Sequence, residues 1–180
     1  MIAIEAHPRI SGYLAENLAL NNRSNVAFIN CAVGESEGEI FFTDSRSDVL
    51  NRVSEKPVGI SVPLSTLDSL ITEATIDLLK IDVEGYELAV LKGASRTLSK
   101  SQCVYLESYY EHQQHYGYAT RELLEILRES GFSMLFLDHK MSTAKMLPWD
   151  HASMTCENIV AVRNLGEFKE RTHYQVTDLL

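Results

Sequence analysis

No apolar stretch in the 180 residues approaches the roughly 20 that a spanning helix needs. Gly-x-Gly does not occur anywhere, so the glycine fingerprint that cradles a dinucleotide pyrophosphate is missing. A Tyr-x-x-x-Lys pair is missing too, which leaves a dehydrogenase without support. Lys and Arg number 16 against 25 Asp and Glu, a net charge of −9, and they form no cluster. Phosphate binding rests largely on those cations, so a surface that coats nucleic acid is not expected. Cysteine is scarce: Cys31, Cys103 and Cys156 are odd in number and widely spaced. They read as free thiols of a reducing compartment rather than as a metal or redox set. The start, Met1-Ile2-Ala3-Ile4-Glu5, has neither a basic region nor a long apolar region. It is not a signal peptide, and the cytoplasm is the default location. Repeats, low-complexity tracts and linkers are absent as well.

What is present is globular composition: 45% apolar, 23% charged, mean hydropathy −0.10. A chain of about 150 residues buries roughly 70% of its unfolded surface, enough for a core without staples. Short apolar runs alternate with helical spacing. Ile2-Ala3-Ile4 reads as a strand, and Pro8 opens a helix carrying Ile10, Tyr13, Leu14 and Leu18. Val26 to Val33 reads as one strand and Gly38 to Thr43 as another, with a hairpin turn over Gly34–Gly38. Residues 44–57 read as irregular. Val62–Leu64 is extended, and Ser65-Thr66-Leu67-Asp68 starts a helix. Ile76 to Ile81 is a strand, followed by a helix through Leu88, Leu91, Ala94 and Leu98. Cys103 to Leu106 is the next strand. Thr120 caps a helix with Leu123, Leu124 and Leu127, stopped by Gly131. Met134–Leu137 and Ile159–Val162 complete the strands. Residues 139–158 show no period, and the tail from 165 to 180 is not placed. This order predicts an α/β fold with a doubly wound, mostly parallel sheet, as one domain over residues 1–164.

Three apolar runs end in an acid: Glu5, Asp82 and Glu107. Ligands of open α/β sheets bind outside the carboxyl ends of the strands, so the three acids would share one rim. Each could also be a plain cap or a solvated loop acid. Glu5 suits a vicinal diol, because a carboxylate only accepts and has two oxygens. Gly85 permits a tight turn after Asp82. Glu84 and Glu87 fit a capping role in the first turn of the next helix.

Lys80-Ile81-Asp82-Val83-Glu84-Gly85-Tyr86-Glu87, with Leu91-Lys92-Gly93-Ala94 after it, resembles the central signature of the FkbM-type S-adenosylmethionine-dependent methyltransferases. Ile4-Glu5-Ala6-His7-Pro8 is similar to that family's acidic second-strand motif. Asn17, Asn21-Asn22, Ala32-Val33-Gly34 with Gly38, and Ser65-Thr66-Leu67-Asp68 follow in the family's order. The likeness runs from about residue 1 to about residue 163. It implies a class I, Rossmann-like methyltransferase fold, S-adenosylmethionine as cofactor, and methyl transfer to a hydroxyl of a small molecule or sugar. By the same resemblance, Glu5 would hold the ribose and Ala32-Val33 would border the adenine. Asp82 would face the methyl donor or the acceptor. Glu107 and His112 would bind or deprotonate the acceptor.

The family's first strand and glycine-rich loop have no counterpart here, so the expected fold is N-terminally truncated. In the family that strand lies between those ending at Glu5 and Asp82. Three readings stay open. The chain is a fragment of a longer enzyme, or it closes the sheet by pairing those two strands directly, or a partner chain or second copy supplies the strand. A degenerate domain that only binds is the alternative to an enzyme. No metal is expected: Asp82, Glu107 and a histidine could form an oxygen-rich Mg²⁺ site, but nothing in the spacing demands it. His112, His115, His139 and His151 each read more simply as surface histidines. Tyr109, Tyr110, Tyr116 and Trp149 lie near the presumed acceptor side, where they would stack on a substrate or simply pack.

Overall fold

The fold is seen in a computed structural model that describes residues 1–44, 52–54, 57–138 and 140–177. Of the segment read as irregular, residues 45–51, 55 and 56 lie outside that set, as does His139.

The chain begins with β1 (Ile2–Ile4), α1 (Pro8–Leu20) and β2 (Ala27–Ile29). Pro8 sits in the first turn of α1, where a missing amide costs nothing. The His7 Nδ1 caps that helix by accepting from the Arg9 amide at 3.3 Å. β1 and β2 pair in parallel as a separate two-stranded sheet.

The single strand expected over 26–33 is broken in two. After β2 the chain bends at Asn30–Cys31, and β3 (Ala32–Val33) joins a different sheet. The Asn30 side-chain amide fixes the bend by donating to the carbonyls of Glu5, at 2.7 Å, and Ala6, at 3.1 Å. β4 (Gly38–Phe42), β5 (Val53–Ser54) and β6 (Ile60–Ser65) complete this four-stranded sheet, in the order β3-β6-β4-β5. The turn over Gly34–Gly38 is therefore not a hairpin, because β6 lies between β3 and β4.

A short helix, α2 (Leu67–Leu70), starts where Thr66 predicts it; the Thr66 hydroxyl accepts from the Ser69 amide at 3.1 Å. β7 (Ile76–Ile81) follows. The one helix expected next is two: α3 (Glu87–Lys92) and α4 (Ser95–Lys100). The break falls at Gly93. A Cβ there would lie 2.0 Å from the Gly34 carbonyl oxygen, so the backbone of the β3 end occupies the space of a side chain. Asp68 caps the second helix across the break. Its carboxylate accepts from the Arg96 amide at 2.9 Å and the Thr97 amide at 2.7 Å.

The rest of the chain gives β8 (Ser101–Tyr109), α5 (Tyr110–His115), α6 (Thr120–Glu129), β9 (Ser133–Asp138), β10 (Thr143–Met146), β11 (Cys156–Val162), α7 (Leu165–Thr172) and β12 (Gln175–Thr177). Ala119, not Thr120, occupies the cap of α6, and the Glu122 carboxylate accepts from its amide at 2.8 Å. Thr120 turns inward instead, into a buried network with Ser108 and Gln113. The segment read as lacking a period contains β10 and the start of β11, and the unplaced tail contains α7 and β12.

The six-stranded sheet runs β12-β10-β9-β11-β8-β7. β7–β8 and β10–β12 are parallel; β8–β11, β11–β9 and β9–β10 are antiparallel. Side chains alternate across it, as the period of 2 requires. Val104, Leu106, Met134, Ile159 and Ala161 face one cluster with α3, α4 and α6. Leu135, Val160 and Val162 face the other, under Leu165 and Phe168 of α7. Helices thus cover both faces, as in a doubly wound α/β fold, but the sheet is mixed rather than mostly parallel as the sequence order predicts, because three of its five pairings are antiparallel. Among the described residues no helix is long and apolar enough to cross a membrane. β1 and β7 belong to different sheets, so the direct pairing that would close the gap between them is not made.

Burial alone would raise the Asp68 carboxyl, but the two α4 amides, the Thr97 hydroxyl and Arg96 outweigh it and hold the group below its ordinary value. Its stabilisation is therefore present above the unfolded pKa of about 3.9 and is lost as pH falls through the folded value. Asp68→Ala should lower the urea midpoint at pH 7, a loss of about 1–2 kcal/mol. The gap between variant and parent should narrow in acid. Equal midpoints at pH 7 would show that the cap contributes nothing.

Candidate functional site

β7 ends at Ile81 and delivers Asp82 to the loop before α3. Glu84 and Gly85 then both take positive φ, 55° and 100°. For Gly85 that is easy; for Glu84 it costs about 1–3 kcal/mol and needs support from the surroundings. Glu87, the first residue of α3, gives that support. Its carboxylate reaches back and accepts from the Gly85 amide at 3.1 Å and the Val83 amide at 3.3 Å. Gly85 is packed under α5, where a Cβ would lie 2.7 Å from the His112 Cβ.

Glu87 is 2% exposed. The Tyr118 hydroxyl lies 2.9 Å from both the Gly85 carbonyl and the second Glu87 oxygen. One hydroxyl proton serves two acceptors only by being shared between them, at the expense of each bond. A protonated Glu87 resolves this, because it donates to the Tyr118 oxygen while Tyr118 donates to the carbonyl. Burial raises the Glu87 carboxyl above its ordinary range, in agreement with that arrangement.

Glu84 points the other way. Its Oε2 lies 3.5 Å from the Nδ1 of His112. Glu107, on β8, completes a group whose three ligating atoms lie within 4.8 Å of one another. Burial raises the Glu84 carboxyl; the His112 ring opposes this, and the nearby Glu107 and Asp82 add to it. The Cys156 thiol donates to Glu107 Oε1 at 3.2 Å. Burial, then that bond and the nearby acids, push this thiol up to about 11. Its reactivity as a thiolate is correspondingly low.

The structure thus brings Glu107 and His112 together. Glu107 is not at a strand end, because β8 continues to Tyr109 and pairs Glu107 with Asn158 of β11. Asp82 does follow its strand, but it is ion-paired to Lys80 at 2.6 Å and half-exposed. Glu5 follows β1, in the separate two-stranded sheet, and its Oε1 accepts from the His7 amide at 2.8 Å. Ala32 and Val33 form β3, against Leu64 and Ser65 of β6. Ile4, Val33 and Val83, at or just past the ends of β1, β3 and β7, all pack on the core cluster that includes Ile81.

Glu84 is the residue the sequence reading assigned elsewhere, as a cap. The signal was the Glu-Gly pair after a strand, since a glycine there marks a turn that can reverse the side chain before it. Other candidates have structural partners. His151 Nε2 lies 2.7 Å from Glu157, and Trp149 sits against the guanidinium groups of Arg121 and Arg128, at 4.7 and 5.5 Å. The Tyr116 hydroxyl donates to the Val53 carbonyl, and the Tyr109 ring lies 4.5 Å from that of His112. Cys31, Cys103 and Cys156 are all free thiols, with Cys156 exposed.

Comparison with known proteins gives one family. The model of the methyltransferase FkbM domain matches residues 1–134. The solved structure of methyltransferase FkbM from Methylobacillus flagellatus KT is similar, with a TM-score of 0.56 at 18% identity, over 89% of this chain and 36% of that one. The likeness is one of fold, and the chain spans about a third of that protein's length. The precorrin-6y C5,15-methyltransferase of Geobacter metallireducens GS-15 matches at 11% identity and a TM-score of 0.42, over 89% of this chain and 67% of that one. A search of curated proteins finds no match.

The raised Glu87 carboxyl makes a prediction with a definite sign. The folded chain holds this proton more tightly than the unfolded one. Its contribution is complete below the ordinary value of about 4.3 and is lost as pH rises through the folded value. Glu87→Gln keeps the donor and removes the titration. The denaturation midpoint of the parent should therefore fall, relative to Glu87→Gln, as pH rises above about 4.3. Parallel pH profiles for the two chains would exclude a protonated Glu87.

Proposed function

The chain belongs to the FkbM methyltransferase domain family, and from that premise we propose that it binds S-adenosylmethionine and serves methyl transfer to a hydroxyl oxygen of a small molecule or sugar. The observation that carries this reading is the acidic rim. Glu84 and Glu107 gather around His112, Asp82 lies close enough for its charge to act on Glu84, and Glu5 follows the strand of the neighbouring sheet. A rim of that sign suits a cationic donor.

Held by Glu5, Ala32, Val33 and Asp82, the cofactor would supply a methyl group on a positively charged sulfur, for transfer to an acceptor oxygen. The protein's task is then mainly orientation. Glu5 fits the ribose role because its turn fixes one carboxylate oxygen on the His7 amide and leaves the other to accept from a hydroxyl. Ala32 and Val33 are proposed to border the adenine. Asp82 faces the donor side, with Lys80 holding its carboxylate in place. The acceptor hydroxyl binds at the Glu107–His112 end, and its proton leaves to that group.

One observation favours a second reading, a domain that binds without catalysis. β1 and β7 lie in separate sheets, so no shared hydrogen-bond ladder fixes Glu5 relative to Asp82.

Calorimetry with S-adenosylhomocysteine separates the two. Micromolar binding to the 180-residue chain that Glu5→Ala weakens at least tenfold supports the methyltransferase reading. A folded chain that takes up no S-adenosylhomocysteine supports the second.

A further inference from the structure

We propose that Glu84, Glu107 and His112 form a binding site for one divalent first-row cation of the Mn²⁺–Zn²⁺ range. The three donors come from three elements: the loop after β7, the strand β8 and the helix α5. Their ligating atoms lie within 4.8 Å of one another. Metal–ligand bonds of about 2.1 Å place neighbouring ligand atoms about 3–3.5 Å apart, so the group needs to close by only about an ångström. The Glu84–His112 edge, at 3.5 Å, already has that length.

The state of His112 is the independent observation. Its Nδ1 is fully buried and has no hydrogen-bond partner. At 3.5 Å from Glu84 Oε2 the contact is too long for a hydrogen bond. A buried nitrogen left without a partner is costly, and most are satisfied. A cation between the imidazole and the carboxylate satisfies both, using the nitrogen lone pair that a proton would otherwise occupy.

The surroundings also fit. The Cys156 thiol engages Glu107 Oε1, which orients that carboxylate and leaves its other oxygen for the ion. Gly85 brings the loop close enough to α5 for Glu84 and His112 to meet. One imidazole with two carboxylates suits Mn²⁺, Fe²⁺ or Zn²⁺ better than Mg²⁺, which prefers oxygen alone. Three protein ligands leave positions open for oxygens of water or of a hydroxylated ligand, as in sites that carry out chemistry. Asp82, ion-paired to Lys80 at 2.6 Å, is not one of the three.

In this site Glu107 and His112 hold the ion rather than the acceptor's proton, so the inference revises that part of the methyl-transfer reading, and it is tested without cofactor. Mn²⁺ titration of the full 180-residue chain at pH 7, followed by electron paramagnetic resonance, should show one site with a micromolar Kd, displaced by Zn²⁺. Glu84→Gln, Glu107→Gln and His112→Gln should each weaken it at least tenfold. Asp77→Asn, an exposed acid at the far end of β7, should leave it unchanged. Circular dichroism identifies any variant that fails to fold, and for such a variant the remaining single changes decide. Absence of a stoichiometric site in the parent, or Mn²⁺ binding that all three variants retain, overturns the proposal. A chain that binds Mn²⁺ but not S-adenosylhomocysteine sinks the methyl-transfer reading alone.

Discussion

The site depends on one buried carboxyl group. Glu87 holds the amides of Val83 and Gly85 from inside, and Tyr118 on the far side holds both Glu87 and the Gly85 carbonyl. Without that pin nothing compensates for the positive φ of Glu84, and the side chain would relax away from His112. The cost of burying an acid is offset by its hydrogen bonds to two amides and to the Tyr118 hydroxyl, which is the usual condition for a polar group in a core. Position at the rim is thus decided one layer beneath it, by a residue that touches no ligand.

The same logic extends across the fold. The larger sheet is insulated on both faces, by α3, α4 and α6 on one side and α7 on the other. Its terminal strand β7 carries the acidic loop and, among the described residues, is paired only to β8. Leu78 on that strand is 59% exposed. The loop therefore takes its precision from the helices behind it rather than from the ladder beside it.

Much of this was readable in the residues. Pro8, Thr66 and the leucines of α6 mark their helices because each reports a local rule of capping or period. Asp82 and Glu5 are legible as strand-end acids for the same reason. What the sequence hides is tertiary. The helix through Leu88–Leu98 breaks at Gly93 because the Gly34 carbonyl approaches it from 59 residues away in sequence, and no local pattern reports that. Val26–Val33 reads as one apolar run, yet the two Asn30 hydrogen bonds to the end of β1 divide it between sheets. Thr120 has the right chemistry for a cap, and a buried partner, Gln113, takes it instead. Glu84 and Glu87 are indistinguishable as letters three positions apart; only the backbone shows that one faces inward and the other faces His112.

Where Gly34 meets Gly93, main chain rests directly on main chain, with no side chain between to act as a spacer. Gly93 has an ordinary φ of −87°, so its constraint is purely spatial. Such a seam has no adjustable part. It cannot be loosened or tightened by swapping one rotamer for another, and it ties the end of β3 to the start of α4 as one rigid piece. Any drift in the smaller sheet is therefore handed on to the helices that back the acidic loop, and evolution can retune the two halves of this molecule only together.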